Sequence, residues 1–151
     1  MRSRGAAAPL FLAILFGLAA GLAAFTFGYA RGASYLTDDP AACRNCHAMN
    51  EQFDGWLKSS HRSAAVCNDC HAPAGFFAKY FTKALNGFNH SLLFTTGRYP
   101  DHIQITGRNA RIAEEACMKC HQEVTGGIRS IRAHGGPVHC TACHLSVGHA
   151  H

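Results

Sequence analysis

Residues 5–30 run for 26 positions without a formal charge, centred on Leu10-Phe11-Leu12-Ala13-Ile14-Leu15-Phe16. A helix of that length reaches about 39 Å, enough to cross a hydrocarbon core with some tilt. Arg2 and Arg4 precede the run and Arg31 follows it. The leading pair favours a cytoplasmic N-terminus, and Arg31 weakens the asymmetry. A cleaved signal peptide is the alternative, with small residues at Ala23-Ala24 and Gly28-Tyr29-Ala30 as cleavage points. The apolar run is longer than a usual signal core of about 7 to 15 residues. The expectation is therefore a retained, single-pass anchor over residues 1–32, with residues 33–151 on the outer side of the membrane.

A second apolar pattern lies between Pro73-Ala74-Gly75 and Gly97 with Pro100, turn residues that punctuate both ends. Phe76, Phe77, Tyr80, Phe81, Ala84, Leu85, Phe88, Leu92 and Leu93 recur there at helical spacing. Lys79, Lys83 and His90 share the complementary face. The connector 74–97 thus reads as an amphipathic helix, packed on a cofactor face or lying in the membrane interface. Gly87 weakens that helix without forbidding it.

The rest of the chain is organised around a repeated five-residue unit. Cys43-Arg44-Asn45-Cys46-His47 recurs as Cys67-Asn68-Asp69-Cys70-His71, Cys117-Met118-Lys119-Cys120-His121 and Cys140-Thr141-Ala142-Cys143-His144, which together use all 8 cysteines. Cys-x-x-Cys-His is the attachment signature of a c-type haem: two thiols add across the porphyrin vinyl groups and the adjacent imidazole faces iron. Paired cysteines alone would also suit zinc. With 11 histidines in 151 residues, a histidine trailing all four pairs by chance has a probability on the order of 10⁻⁵. Four covalent haems are expected, and no cysteine remains for a disulfide.

That expectation changes how the composition reads. The formal charge of +5 would otherwise suggest nucleic acid or an anionic surface. Eight haem propionates accompany four haems, so some of the 14 Lys and Arg are more economically propionate partners, and no nucleic-acid role is expected. Too few residues remain outside the apolar run for an ordinary core around four macrocycles. The fold class expected is mostly α, one transmembrane helix plus a small haem-packed multihaem cytochrome c domain of short helices and long loops.

Motif starts at 43, 67, 117 and 140 give steps of 24, 50 and 23. This short-long-short rhythm suggests two two-haem units, 43–71 and 117–144, joined by the connector. His61 and His134 each lie six residues before a motif, as a duplication would leave them. The motif imidazoles His47, His71, His121 and His144 are the candidate proximal ligands. Imidazole on both faces of an iron gives a centre that only transfers electrons, whereas an open face invites substrate. His61 and His149 are the leading candidates for the opposite faces. His90 is a further one; His102, His134 and His139 are read as surface or propionate-contacting groups, and His151, at the tail, is given no role. Met49 follows His47 by two residues, either as packing or as a thioether ligand that displaces His47. Lys83 and His90 beside the first haem would take up the protons of a quinol as its electrons depart.

The chain resembles the NapC/NirT family of membrane-anchored tetrahaem quinol dehydrogenases. The resemblance rests on the anchor, the four motifs, Ala48-Met49-Asn50, His61, Ala72-Pro73, Lys83-Ala84-Leu85-Asn86-Gly87-Phe88-Asn89-His90-Ser91 and the closing segment 140–149. It implies a protein of the cytoplasmic (inner) membrane with its haem domain in the periplasm. The implied activity is menaquinol oxidation, with electrons passed to a periplasmic pentahaem cytochrome c nitrite reductase. Feeding a nitrate, N-oxide or S-oxide reductase, or a soluble carrier role, are the alternatives. The resemblance further implies Met49 in place of His47 at the first haem, His149 on the third and His61 on the fourth. The second haem's sixth ligand would then come from the partner subunit. Some relatives carry aspartate where His90 stands, which leaves His90 as either proton acceptor or ligand.

Overall fold

Helix α1, Arg4–Tyr29, is the long apolar run. In this computed structural model, which describes residues 4–131 and 139–149, Ala7–Tyr29 is long and apolar enough to cross a membrane. Its described side chains are all exposed, so the helix has no protein core of its own. The end of α1 is built locally. Ala30 N donates to Thr26 O, Arg31 N donates to Gly28 O, and Arg31 takes a left-handed φ of 50°, the usual geometry of a helix stop. The chain then enters a 3₁₀ turn, Gly32–Leu36. A Cβ on Gly32 would sit 2.4 Å from the Phe27 ring, so only glycine lets the backbone pass there.

The chain divides into two compact units, Met1–Ser34 and Tyr35–His151. The second is mostly helical, and among its described residues there is no strand. It runs α2 Pro40–Cys43, a 3₁₀ turn His47–Met49, α3 Asn50–Lys58, α4 Cys67–His71, α5 Phe76–Thr95, α6 Gly107–Ile131 and α7 Cys140–Cys143. Pro40 at the first position and Asp39 as N-cap start α2, with Ala41 N donating to Asp39 Oδ1 at 2.9 Å. α4 and α7 are little more than the attachment motifs themselves. The third motif instead lies inside the 25 residues of α6, and the connector forms the 20-residue α5.

α2 packs on α4, α4 on α6 and α6 on α7. The four motifs therefore meet in chain order. The largest of these contacts joins the second motif to the third, although 50 residues separate their starts. Among the described residues of this unit, those fully buried are Gly55, Ala72, Thr82, Lys83, Ile112 and Ala116. A unit of this size ordinarily buries most of its apolar surface, so its interior calls for an apolar filler other than side chains. His134 and His151 lie outside the described residues, so the match between His61 and His134 does too.

Candidate functional site

The eight thiols are the first test of fit. The Cys43 and Cys67 thiols lie close together, as do those of Cys117 and Cys140. Attachment points of the first and second motifs thus adjoin, and so do those of the third and fourth.

The imidazoles are the second test. The His61 and His121 ring centres are 6.1 Å apart, and those of His71 and His149 are 5.9 Å apart. A metal–imidazole bond is about 2 Å long, and the ring centre lies roughly 1 Å beyond the nitrogen. Two rings on opposite faces of one iron therefore have centres about 6 Å apart. Among the described residues no group of three His, Cys, Asp or Glu side chains is placed to hold a bare ion. Two imidazoles facing each other suit an iron whose other four ligands come from a porphyrin.

The Nδ1 atoms agree. His149 Nδ1 is 2.8 Å from Gln52 O, and His61 Nδ1 is 3.1 Å from Ser60 Oγ. Each contact occupies the inner nitrogen and leaves Nε2 for a metal, the arrangement that fixes tautomer and ring orientation in metal-bound histidines. α3 supports both rings. It supplies the Gln52 carbonyl, and its Trp56 Nε1 donates to Ala65 O at 3.0 Å, closing the loop that carries His61. Ala64 N and Ala65 N both donate to His61 O.

This pairing differs from the one implied by the family resemblance. His61 stands across from His121 of the third motif, not His144 of the fourth. His149 stands beside His71 of the second. The reason is the packing of α4 on α6: the loop entering α4 is carried over the motif inside α6. His144 and the neighbouring Cys143 line a cleft with Lys58, Ser59, Ser60, Leu145, Ser146 and Val147, of about 420 Å³.

The first motif has different surroundings. His47 is exposed and Met49 partly buried, with Met49 N donating to Cys46 O at 2.9 Å. Tyr35, which lies near Cys43 and Cys46, comes within 3.2 Å of His90 Nδ1 through its hydroxyl. Its ring lies over Gly87, where an added Cβ would touch it at 3.4 Å. Burial pushes the His90 imidazole below its ordinary pKa.

Lys83, only 8% exposed, donates to Thr37 O at 2.7 Å and Asp38 Oδ1 at 3.1 Å. Asp38 also accepts from Lys79 through Oδ2 and from Asn68 Nδ2 at 2.7 Å. The Lys79 hydrogen bond, aided by Lys83 and Asn68, holds the Asp38 carboxyl down at about 2. The segment before the first motif is thus tied to the second motif and to α5 at once. The lysines of α5 face the protein, while Phe77 (86% exposed), Phe81 and Phe88 face outward. Tyr35 and Asp38 carry no motif signal. The Asp38-Asp39-Pro40 run is legible only as a helix start.

The chain is similar to known proteins in family, in sequence and in structure. Residues 6–151 match the model of the NapC/NirT cytochrome c family, N-terminal region. The chain is 37% identical over 146 residues to the cytochrome c-type protein NrfH of Wolinella succinogenes, covering 90% of this chain and 82% of that protein. It is 32% identical over 113 residues to the cytochrome c nitrite reductase subunit NrfH of Nitratidesulfovibrio vulgaris, covering 75% and 69%. A chain from the crystal structure of the cytochrome c nitrite reductase NrfHA complex bound to the HQNO inhibitor superposes with a TM-score of 0.66. That match has 30% identity and covers 93% of this chain and 89% of the other. This chain, with its single membrane-spanning helix and covalently bound haem c, belongs to the NapC/NirT cytochrome c family.

Proposed function

We propose that this chain is a tetrahaem quinol dehydrogenase: it oxidises menaquinol at the outer face of the cytoplasmic membrane and passes electrons to a periplasmic cytochrome c nitrite reductase. Relatives named as a subunit of that reductase, at 32% identity, and a like chain from a solved complex with it support the partner. Arg2 and Arg4 support a cytoplasmic N-terminus. The observation that carries the reading is the asymmetry of the row. The second and third motifs are flanked by facing imidazoles, 5.9 and 6.1 Å apart, which suits transfer alone. The first adjoins Met49 and a cluster of hydrogen-bonding groups.

Haem bound at the four motifs supplies one-electron redox chemistry. The eight cysteines would hold it, and His71 with His149 and His121 with His61 would ligate the second and third irons. Met49 would take the first iron in place of His47, and His144 would ligate the fourth. The rest is the work of the chain. A quinol losing two electrons also loses two protons, which exposed His90 accepts one after the other, releasing each to the water outside. In the tautomer whose Nδ1–H donates to the Tyr35 oxygen, His90 Nε2 is a base, and partial burial lowers the pKa of the ring. Lys83 has given two of its three N–H groups to Thr37 and Asp38, which leaves one to orient a quinol oxygen. The outward aromatic face of α5 gives a lipid-borne donor an apolar approach. The test is anaerobic oxidation of menaquinol by the purified full chain, alone and with its copurified reductase. Nitrite-dependent turnover by the pair supports the reading, and a chain that menaquinol leaves oxidised refutes it.

A further inference from the structure

Thiol contacts adjoin the first motif to the second and the third to the fourth. The second and third motifs, where Cys70 lies near Cys117 and Cys120, are in addition joined by a hydrogen-bonded side chain. Lys119, one of the two variable residues of the third motif, donates from Nζ to Asp69 O at 2.9 Å and to Ala72 O at 2.9 Å. Asp69 is a variable residue of the second motif and Ala72 directly follows its histidine. One ammonium inside the third motif thus bonds the backbone on both sides of His71. Ala72 is 2% exposed, and Ile112 and Ala116 of α6 are also buried. The carbonyls at the end of a helix lack intrahelical partners, so the Lys119 ammonium satisfies an acceptor of α4 that its own helix cannot, and the cation is favourable at that end.

We propose that Lys119 is a positioning residue for the passage of an electron from the second site to the third. Its two bonds fix the backbone that carries His71 against the helix that carries His121. Its positive charge lies beside both sites and favours the reduced state of each. The step moves one electron from one iron to the next, with no proton and no bond made or broken. This rests on the electron-transfer reading given above and deepens it.

The experiment uses the full chain in detergent, as Lys119→Met and Lys119→Arg. Both variants are expected to retain four haems. In the Met variant, quinol-driven reduction splits into a fast phase and a second phase about tenfold or more slower, the scale of a small misplacement of reacting centres. An equilibrium spectroelectrochemical titration of the same variant shows the midpoint potentials of one or two haems lowered. The Arg variant, with cation and donors kept, restores the single phase and the potentials. Wild-type kinetics and potentials in the Met variant overturn the assignment. If that variant fails to take up four haems, Lys119→Gln, which keeps a donor and loses the charge, is measured in its place; unchanged potentials and phases there overturn it equally. The titration needs no quinol, so it stands apart from the quinol reading, which fails if menaquinol does not reduce the unmodified chain.

Discussion

Replacing Asp38 by Asn removes the charge to which two lysines and an amide converge. Oδ1 accepts from Asn68 at 2.7 Å and Lys83 at 3.1 Å, and Oδ2 accepts from Lys79. Lys83, 8% exposed, keeps the Thr37 carbonyl and the Tyr80 ring but loses its ionic partner. Hydrogen bonds to charged groups contribute about 1.5–3 kcal/mol each when shielded. The Asp38 side chain is 47% exposed, so water and salt screen most of that, and about 2 kcal/mol for the whole cluster is the reasonable size. In a unit of this length the loss lowers the apparent unfolding temperature by roughly 6–10 °C. Circular dichroism of the holoprotein in detergent, at one fixed heating rate, measures it. The pH dependence gives a second check. Asp38 is held at about 2, below an unfolded value of about 3.9. Its contribution is therefore fully present above about pH 4 and is lost as pH falls towards 2. The gap between wild type and Asp38→Asn is expected to narrow below pH 4 and close near 2. Equal unfolding temperatures at pH 7, or a gap unchanged at pH 2, would refute the reasoning.

His61→Ala and His149→Ala are each expected to convert one low-spin haem of four to high spin, seen in electron paramagnetic resonance at unchanged haem content; two spin changes or none would count against the pairing. His90→Gln is expected to slow menaquinol oxidation about a hundredfold, the usual size for loss of a general base, while dithionite still reduces every haem. Glu114 accepts from Cys140 N at 2.7 Å and Thr141 N at 2.9 Å, so Glu114→Ala should uncap α7 at a cost of about 1–2 kcal/mol. Earlier proteolytic cleavage near the fourth motif is the expected sign, and Glu114→Gln should recover part of the protection.

Much of this architecture is legible in the chain because the signals are local. The apolar run becomes α1, the helical spacing of aromatic residues becomes α5, and four copies of the Cys-x-x-Cys-His pattern mark the proposed haem attachments without any tertiary knowledge. The histidine contacts are not legible, because His61 and His121 are brought together only by α4 packing on α6, and His149 reaches back to α3 across 97 residues through Gln52. Helical spacing puts Lys79 and Lys83 on one face of α5 but does not say which way that face turns. Asp38, 41 and 45 residues earlier in the chain, draws them inward. Tyr35 and Lys119 have the same character. Each is unremarkable in its neighbourhood and significant only for what it meets elsewhere, and Gly87, readable as a weak point in α5, is where the Tyr35 ring lies.

The most direct measurement is anaerobic mixing of menaquinol with the full-length protein purified from membranes, following the haem absorption bands. Reduction of haem that survives acid-acetone extraction, at four per chain, followed by reoxidation when the nitrite reductase and nitrite are added, is the predicted result. Colour that washes out with acid-acetone, or haem that dithionite reduces and menaquinol leaves oxidised, would contradict it.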